Sequence, residues 1–407
     1  MIPIEEARER ILAAFAPLSA EQVAVSNALG RILAEPTIAR RTQPPADVSA
    51  MDGYAARAAD VATVPVTLRQ IGESPAGGSF DGSLGSGETV RIFTGAPVPA
   101  GADCIVIQED TEADGDAITI TEAGQLGRHI RKAGLDFREG DVGVVAGRVL
   151  GARDLALAAA MNCPWLAVRR RPRVAILATG DEVVMPGDPI GPNQIVSSNS
   201  IALAAVVEAC GGEPVVLGIA PDEAGALRAM TEGARGHDLL VTTGGVSVGD
   251  HDLVRQVLGE EGLDVDFWRV AIRPGKPLMF GNLGGTPVLG LPGNPVSTLV
   301  CALLFLRPAL AVMLGADIET ADTDWHRDAR LAGPLPANDR RQDYLRARLS
   351  RDGDGALIAA PFERQDSSML SLLADADCLV VRPPHAPPAS AGDSVQALLF
   401  PAGMQHF

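Results

Sequence analysis

Three short segments of the chain combine glycine, hydroxyl and carboxylate groups in a way that suits a phosphorylated ligand. They are residues 178–182 (ATGDE), 242–250 (TTGGVSVGD) and 291–297 (LPGNPVS). Each follows or closes an apolar run that reads as a buried strand. Glycines at such ends let backbone N–H groups approach an anion, and a helix beginning just beyond adds the positive end of its dipole. Gly244, Gly245 and Gly249 suit an oxyanion cradle, with Ser247, Ser297 and Thr298 as hydroxyl donors. One such loop is equally a plain strand-to-helix turn. Three on one edge of an open sheet, where ligands of α/β proteins bind, favour a site.

The acids crowd the same rim: Asp181, Glu182, Asp250 and Asp252. Carboxylates beside an anion cradle make chemical sense when a divalent cation lies between them, since Mg²⁺ takes one or two carboxylates together with phosphate oxygens. The alternative for each acid is a helix cap or a first-turn charge. Asp250, His251 and Asp252 are not a hydrolytic triad, because adjacent residues cannot line up as nucleophile, base and orienting group. Positive charge comes from AIRPGKPLMF, residues 271–280, where Arg273 and Lys276 flank a Pro-Gly turn expected to aim both head groups one way. The alternative is a surface turn with solvated charges. Of 34 Lys+Arg only Lys132 and Lys276 are lysine, which singles out a compact ammonium at those positions. Asp52, in SAMDGYA, sits on an Asp-Gly turn that is by itself an ordinary hairpin signature.

The elements needed to hold these groups are legible as blocks. Between 172 and 318 apolar strands alternate with helical stretches (RVAILAT, NSIALAAVVEA, EPVVLGIA, DEAGALRAM, HDLLVTT, DLVRQVLGE, PVLGL and PVSTLVCALLFL). That alternation predicts a doubly wound, mostly parallel sheet. Residues 4–35 read as helices, with Ser19 capping a second one through AEQVAVSNALG. From about 44 short β runs and Gly/Pro turns predict an all-β module, and GARDLALAAAMN returns to helix. The fold class expected is therefore α/β and multi-domain. A discontinuous N-terminal helical domain (1–44 and 141–170) carries an inserted β module (45–140). The α/β domain (171–320) follows the linker RRRPR, and a small C-terminal β domain (321–407) ends the chain.

Composition limits the partners. A net charge of −17 argues against a nucleic-acid partner or an anionic membrane surface, so an anionic ligand needs a locally basic pocket. The five cysteines show no CxxC spacing and read as core residues of a reducing compartment. MIPIEEARERI is charged and amphipathic, unlike a signal peptide. The apolar run LVCALLFL meets Arg307 and Pro308 too early to cross a bilayer. A cytoplasmic protein is the expectation.

Taken together, SAMDGYA, TGAPVPAGADCIVIQE, IRKAGLDFREGD, ILATGDE, IVSSNSIAL, VTTGGVSVGDHD, RVAIRPGKP and LPGNPVS resemble, in this order, the molybdopterin molybdenumtransferases. That family comprises the bacterial MoeA proteins and the E domain of gephyrin. The resemblance runs over essentially the full chain. It implies an elongated, four-part subunit that forms a homodimer with an active cleft shared between subunits. It implies Mg²⁺ as cofactor, molybdate and adenylylated molybdopterin as substrates, and molybdenum cofactor and AMP as products. Transient contact with the adenylyltransferase and with molybdoenzyme targets would follow. Carried over by position, Asp52, Asp136, Glu182, Asp238, Asp252 and Lys276 would be catalytic, and Glu182, Asp250 and Asp252 would hold the metal. Gly244, Gly245, Ser247, Arg273, Pro292, Asn294, Pro295 and Ser297 would bind substrate, as would Arg341 and Arg346 (in RRQDYLRA) and Ser367 (in RQDSSML). Asp238 also has a structural reading, as a strand-starting residue that caps or pairs. The chain departs from the family pattern at Arg340 and Asp366, where glycine is usual, and in PPADVSAMDG, which lacks the common Phe and Asn. Two other functions stand beside this one: a non-catalytic dimeric scaffold of the gephyrin type, and a related pyrophosphatase-like enzyme.

Overall fold

A computed structural model of the chain describes residues 1–245, 253–316 and 325–400. At its centre is a six-stranded sheet in the order Glu213–Ala220, Arg173–Thr179, Leu239–Thr243, Thr286–Leu291, Pro277–Leu283, Leu263–Arg269. The first four strands are parallel; Pro277–Leu283 runs antiparallel to them, and Leu263–Arg269 is antiparallel to it in turn. Along Arg173–Thr179, Val174 and Ile176 enter one apolar core while Ala175 and Leu177 enter another. A strand buried on both faces has no polar alternation, which is why its sequence reads as a continuous apolar run. Helices Asn199–Ala209 and Pro295–Cys301 cover the first face, and Ala224–Glu232 and Leu253–Glu260 the second.

The N-terminal helix Ile4–Ala13 packs on that first face through Ile4, Ala7 and Ile11, all buried at a spacing of one helical stripe. The second N-terminal helix expected from the sequence does not form. Ala20–Ala24 is a strand, antiparallel to Trp165–Arg169, followed by a short 3₁₀ turn at Val25–Asn27. Ser19 does not cap a helix; its carbonyl accepts from the Arg170 amide at 3.0 Å. A ready strand partner 145 positions away outweighed a local preference that is weak in an Ala/Val/Gln segment. The helical content of this discontinuous unit lies in Ala152–Ala160, packed with Leu33, Phe137, Leu150 and Leu166.

The apolar run after the LPGNPVS turn also differs from expectation. Pro295–Met313 is one continuous helical run, with mean hydropathy 2.0 over its most apolar window, so Arg307 and Pro308 do not end it. A π turn at Ala302–Leu306 precedes Pro308 and absorbs the register that its missing N–H and its ring would disturb. By length and composition this run would cross a bilayer, but 72 % of its window is buried inside the protein, as suits a core helix.

The inserted module is a six-stranded sheet built on Gly53–Ala56, Glu88–Ile92 and Val66–Ser74. The C-terminal unit closes on itself, because Gln342–Arg351 pairs with Cys378–Arg382 as well as with Leu357–Pro361. A strand from the α/β unit, Ile272–Arg273, adds in parallel to Gln342 and Asp343 and so fastens the barrel to the central sheet.

Candidate functional site

Arg173–Thr179, Leu239–Thr243 and Thr286–Leu291 are parallel neighbours, so their carboxyl ends open on one edge. At that edge Gly244 has φ +87°, and a Cβ there would stand 2.5 Å from the Thr179 carbonyl oxygen. Only glycine lets the two strand ends approach this closely. Asn199, at the start of its helix, donates to Thr243 Oγ1 at 2.9 Å and to the Gly293 carbonyl at 2.7 Å, which clamps the second strand end to the third. Thr298 Oγ1 donates to the Pro292 carbonyl at 2.6 Å, which sets the turn from within the helix that Pro295 begins. Ser297 is buried in the first turn of that helix. Asn294 Nδ2 donates to Ser367 Oγ at 2.8 Å, and the Val296 amide donates to the Ser367 carbonyl at 3.1 Å. Pro292, Asn294, Pro295, Ser297 and Ser367, chosen from distant motifs, therefore share one place with Gly244 and Gly245. Ser247, Asp250 and Asp252 lie outside the described residues.

The acids at this edge include one that the sequence reading missed. Asp181 and Glu182 are exposed just after the first strand end, and the Asp222 amide donates to Asp181 Oδ1 at 2.9 Å. Burial, with the negative charges of Asp181 and Glu182, pushes the Asp222 carboxyl up. The signal for it was APDE, beyond the fourth parallel strand Glu213–Ala220, whose end carries no glycine loop and so escaped a search for phosphate turns. Among the described residues no group of three or more His, Cys, Asp or Glu side chains is placed to hold a metal ion.

Lys276 precedes Pro277–Leu283, which runs antiparallel to Thr286–Leu291, so the lysine sits on the same edge. Its turn is pressed on the helix after Pro295, with Gly275 against Cys301. Among the described residues the Lys276 ammonium has no hydrogen-bond or ion-pair partner. Arg273 does not share its direction, contrary to expectation. Its guanidinium turns to the C-terminal barrel and pairs with Asp343 and Asp339, with a further bond to Asn338 Oδ1 at 3.1 Å. Arg341 is likewise paired with Asp339 at 2.8 Å, and the Arg341 hydrogen bonds hold the Asp339 carboxyl far below its usual range.

Two further expected site residues prove to be framework. Arg346 is only 1 % exposed and donates to the carbonyls of Met369 and Asp366 at 2.9 Å and to Gln365 Oε1 at 3.3 Å. It therefore shapes the loop that carries Ser367 and has no donor turned toward a ligand. Asp238 begins the Leu239–Thr243 strand, on the edge opposite the carboxyl ends. It is held by both Arg170 guanidinium nitrogens, at 2.7 and 2.6 Å, and by the Arg173 amide at 2.8 Å. Burial opposes its ionisation, yet these hydrogen bonds prevail and its pKa lies below the ordinary value. A carboxyl with a depressed folded-state pKa contributes stability above its unfolded value of about 3.9, and that contribution fades as pH falls through the folded pKa. Asp238→Asn is accordingly expected to cost about 1–3 kcal/mol at neutral pH and less in acid. Denaturant midpoints at pH 7 and pH 3 check this, and kcat should remain within about twofold since the residue touches no ligand edge.

The inserted module holds the remaining acids. Asp52 accepts from the Thr94 amide at 2.7 Å and from Thr94 Oγ1 at 2.8 Å, and these bonds lower its pKa. Asp136 lines a cavity of about 540 Å³ together with Arg41, Arg131 and Gly95. Among the described residues, hydrogen bonds made by 45–140 close within the module or on residues 39–44 and Asp141, and none links these two acids to the strand edge of the same chain.

A sheet with glycine-shaped strand ends, a barrel fastened beside them and a β module inserted near the N-terminus defines a multi-domain α/β protein. Residues 2–162 match the MoeA N-terminal region (domain I and II), 175–312 a probable molybdopterin binding domain, and 328–400 the MoeA C-terminal region (domain IV). The chain is 33 % identical over 402 residues to the molybdopterin molybdenumtransferase of Haemophilus influenzae, covering 97 % of this chain and 98 % of that one. It is 36 % identical over 384 residues to molybdopterin molybdenumtransferase 2 of Mycobacterium tuberculosis, covering 92 % and 93 %. The crystal structure of a molybdopterin biosynthesis MoeA protein from Pyrococcus horikosii superposes with a TM-score of 0.86 at 33 % identity, covering 99 % of this chain and all of that one. The chain belongs to the molybdopterin molybdenumtransferase (MoeA) family. It is a transferase of molybdenum cofactor biosynthesis, and the family's activity is insertion of molybdenum into molybdopterin.

Proposed function

We propose that this enzyme takes adenylylated molybdopterin and molybdate, cleaves the phosphoanhydride, and releases molybdenum cofactor and AMP. The observation that carries this reading is the joining of three strand ends to the Ser367 loop beside a lysine that has no partner among the described residues. Gly244 and Gly245 expose backbone at the phosphate position, and Lys276, Ser297 and Ser367 can meet an oxyanion. The dithiolene of the substrate supplies the sulfur ligands, so no protein thiolate is required. The cysteines agree with that division of labour: burial pushes the Cys104 and Cys378 thiols up to about 12 and Cys210 to about 11.

Mg²⁺ fits the acidic side of the edge. Burial and then the charges of Asp181 and Glu182 raise the Asp222 pKa, and a divalent cation would relieve the repulsive part. Glu182 and Asp222, with Asp250 and Asp252 by position, would hold it, and it would screen the phosphate charge. Among the described residues Asp52 and Asp136 make no hydrogen bond to the strand edge of their own chain, which accords with a homodimer in which a second copy's module completes the cleft. The enzyme then works in the cytoplasm, receiving substrate from the adenylyltransferase and passing product to molybdoenzymes.

Incubation with adenylylated molybdopterin, Mg²⁺ and molybdate should release AMP together with cofactor that activates a molybdoenzyme. AMP release indifferent to molybdate, or no release at all, would overturn the proposal in favour of a pyrophosphatase-like enzyme or a scaffold. Lys276→Ala should raise the half-saturating molybdate concentration by about tenfold or more, the loss of one charge-assisted hydrogen bond, while nucleotide binding stays nearly unchanged.

A further inference from the structure

Ser367 reaches the strand edge on a loop whose shape is set from beneath. Arg346 donates to the carbonyls on either side of it, Asp366 and Met369, at 2.9 Å. The Asp366 carboxylate closes back on the loop itself: its Oδ1 accepts from the Ser368 amide at 2.8 Å and from Ser368 Oγ at 2.6 Å. Ser367 is half-buried and meets the start of the Pro295 helix at two points. Its carbonyl accepts from the Val296 amide at 3.1 Å, and its Oγ accepts from Asn294 Nδ2 at 2.8 Å.

The second of these bonds gives the hydroxyl a direction. An amide nitrogen only donates, so it takes a lone pair of Ser367 Oγ, and the hydroxyl hydrogen has to turn elsewhere. Asn294 Oδ1 is on the other limb of the same planar amide and does not receive it. Among the described residues neither that hydrogen nor the Ser367 amide has an acceptor. Lys276, which precedes the strand adjacent to Thr286–Leu291, adds an ammonium that donates and never accepts. Among the described residues the acids of this edge, Asp181, Glu182 and Asp222, follow strands two and three places away in the sheet, roughly 10–15 Å at the usual strand spacing. An oxygen seated between Ser367 and Lys276 therefore meets donors.

We propose that Asn294 is a specificity-determining positioning residue: by holding Ser367 as a donor, it makes the site favour a tetrahedral oxyanion without a proton, such as molybdate, over hydrogen phosphate. The proposal rests on the reading of Ser367 and Lys276 as partners of an oxyanion. In mildly alkaline buffer both ligands are tetrahedral dianions, and phosphate alone retains a proton. Its P–OH group needs an acceptor, and a face of donors leaves that hydrogen bond unmade.

The test uses the full chain and equilibrium dialysis of molybdate and of inorganic phosphate in mildly alkaline buffer, with the ratio of the two affinities as the readout. The wild type should hold molybdate about tenfold or more tightly than phosphate. Asn294→Asp reverses the bond, because the new carboxylate accepts from Ser367 and turns the hydroxyl lone pairs to the ligand. The added charge repels both dianions alike, so the ratio isolates the hydroxyl, and it should fall about tenfold. Aspartate serves at a helix N-cap as well as asparagine does, so the unfolding midpoint should hold. In a Ser367→Ala background the same substitution should move the ratio by less than about twofold. Asp366→Asn should also leave it within about twofold, since that carboxylate is turned on Ser368. A wild type indifferent between the two anions, an unchanged ratio in Asn294→Asp, or a shift that persists without the Ser367 hydroxyl would overturn the proposal. So would a collapse of the ratio in Asp366→Asn. Failure of the transferase assay with the ratio intact would strike the proposed reaction and leave the selectivity standing.

Discussion

Arg346→Met is expected to lower stability by about 3–5 kcal/mol, among the largest effects of any single substitution in this chain. Among the described residues the side chain is the largest fully buried one, and its guanidinium is the common partner of the Met369 and Asp366 carbonyls and of Gln365. Methionine fills much of the volume but leaves the Met369 carbonyl without its donor and strips one bond each from the Asp366 carbonyl and Gln365 Oε1, which keep only the Met369 and Arg346 amides; each unsatisfied group costs about 1–3 kcal/mol. Against a total of about 5–15 kcal/mol, that loss shifts the denaturant midpoint sharply. Activity should fall with it, because the loop it secures presents Ser367 to Asn294. A variant that kept its midpoint while losing only oxyanion affinity would return Arg346 to the role of a binding residue.

The second large effect is expected at Gly244. A methyl group there meets the Thr179 carbonyl at 2.5 Å, in a backbone conformation of φ +87° that alanine adopts reluctantly. Neither neighbour can yield, since Thr179 ends a strand buried on both faces. Gly244→Ala should cost about 1–3 kcal/mol of stability. Turnover should fall by about 100-fold, because a displacement near 1 Å between strand ends spoils the alignment of phosphate and metal donors. Rates of AMP release on the folded fraction measure it. Unchanged turnover would mean that the strand edge is not where the nucleotide binds.

The residues that the sequence reading placed correctly share a property: their role follows from the local backbone. Gly244 and Gly245 follow a strand, and Pro295 starts a helix, whatever the rest of the chain does. Where the reading failed, the deciding contact came from far along the chain. Arg273 and Lys276 are three residues apart and look equivalent, yet Asp339 and Asp343, about 70 positions away, draw one of them into the barrel. Arg346 and Ser367 looked like one kind of site residue; burial makes the first a strut and leaves the second at the edge. Asp222 went unseen because its neighbours Asp181 and Glu182 are adjacent only once Glu213–Ala220 pairs with Arg173–Thr179.

By itself, the sequence determined the alternation of strand and helix, the glycine-bearing strand ends and the family, since periodicity, turn chemistry and motif order are local and survive without coordinates. Only the tertiary structure decided that Ala20–Ala24 is a strand, that Arg273 pairs into the barrel, and that Asp238 and Arg346 are held as framework. Those outcomes depend on burial and on partners distant in sequence, and desolvation sets the energy of a charged group only after the chain has closed around it.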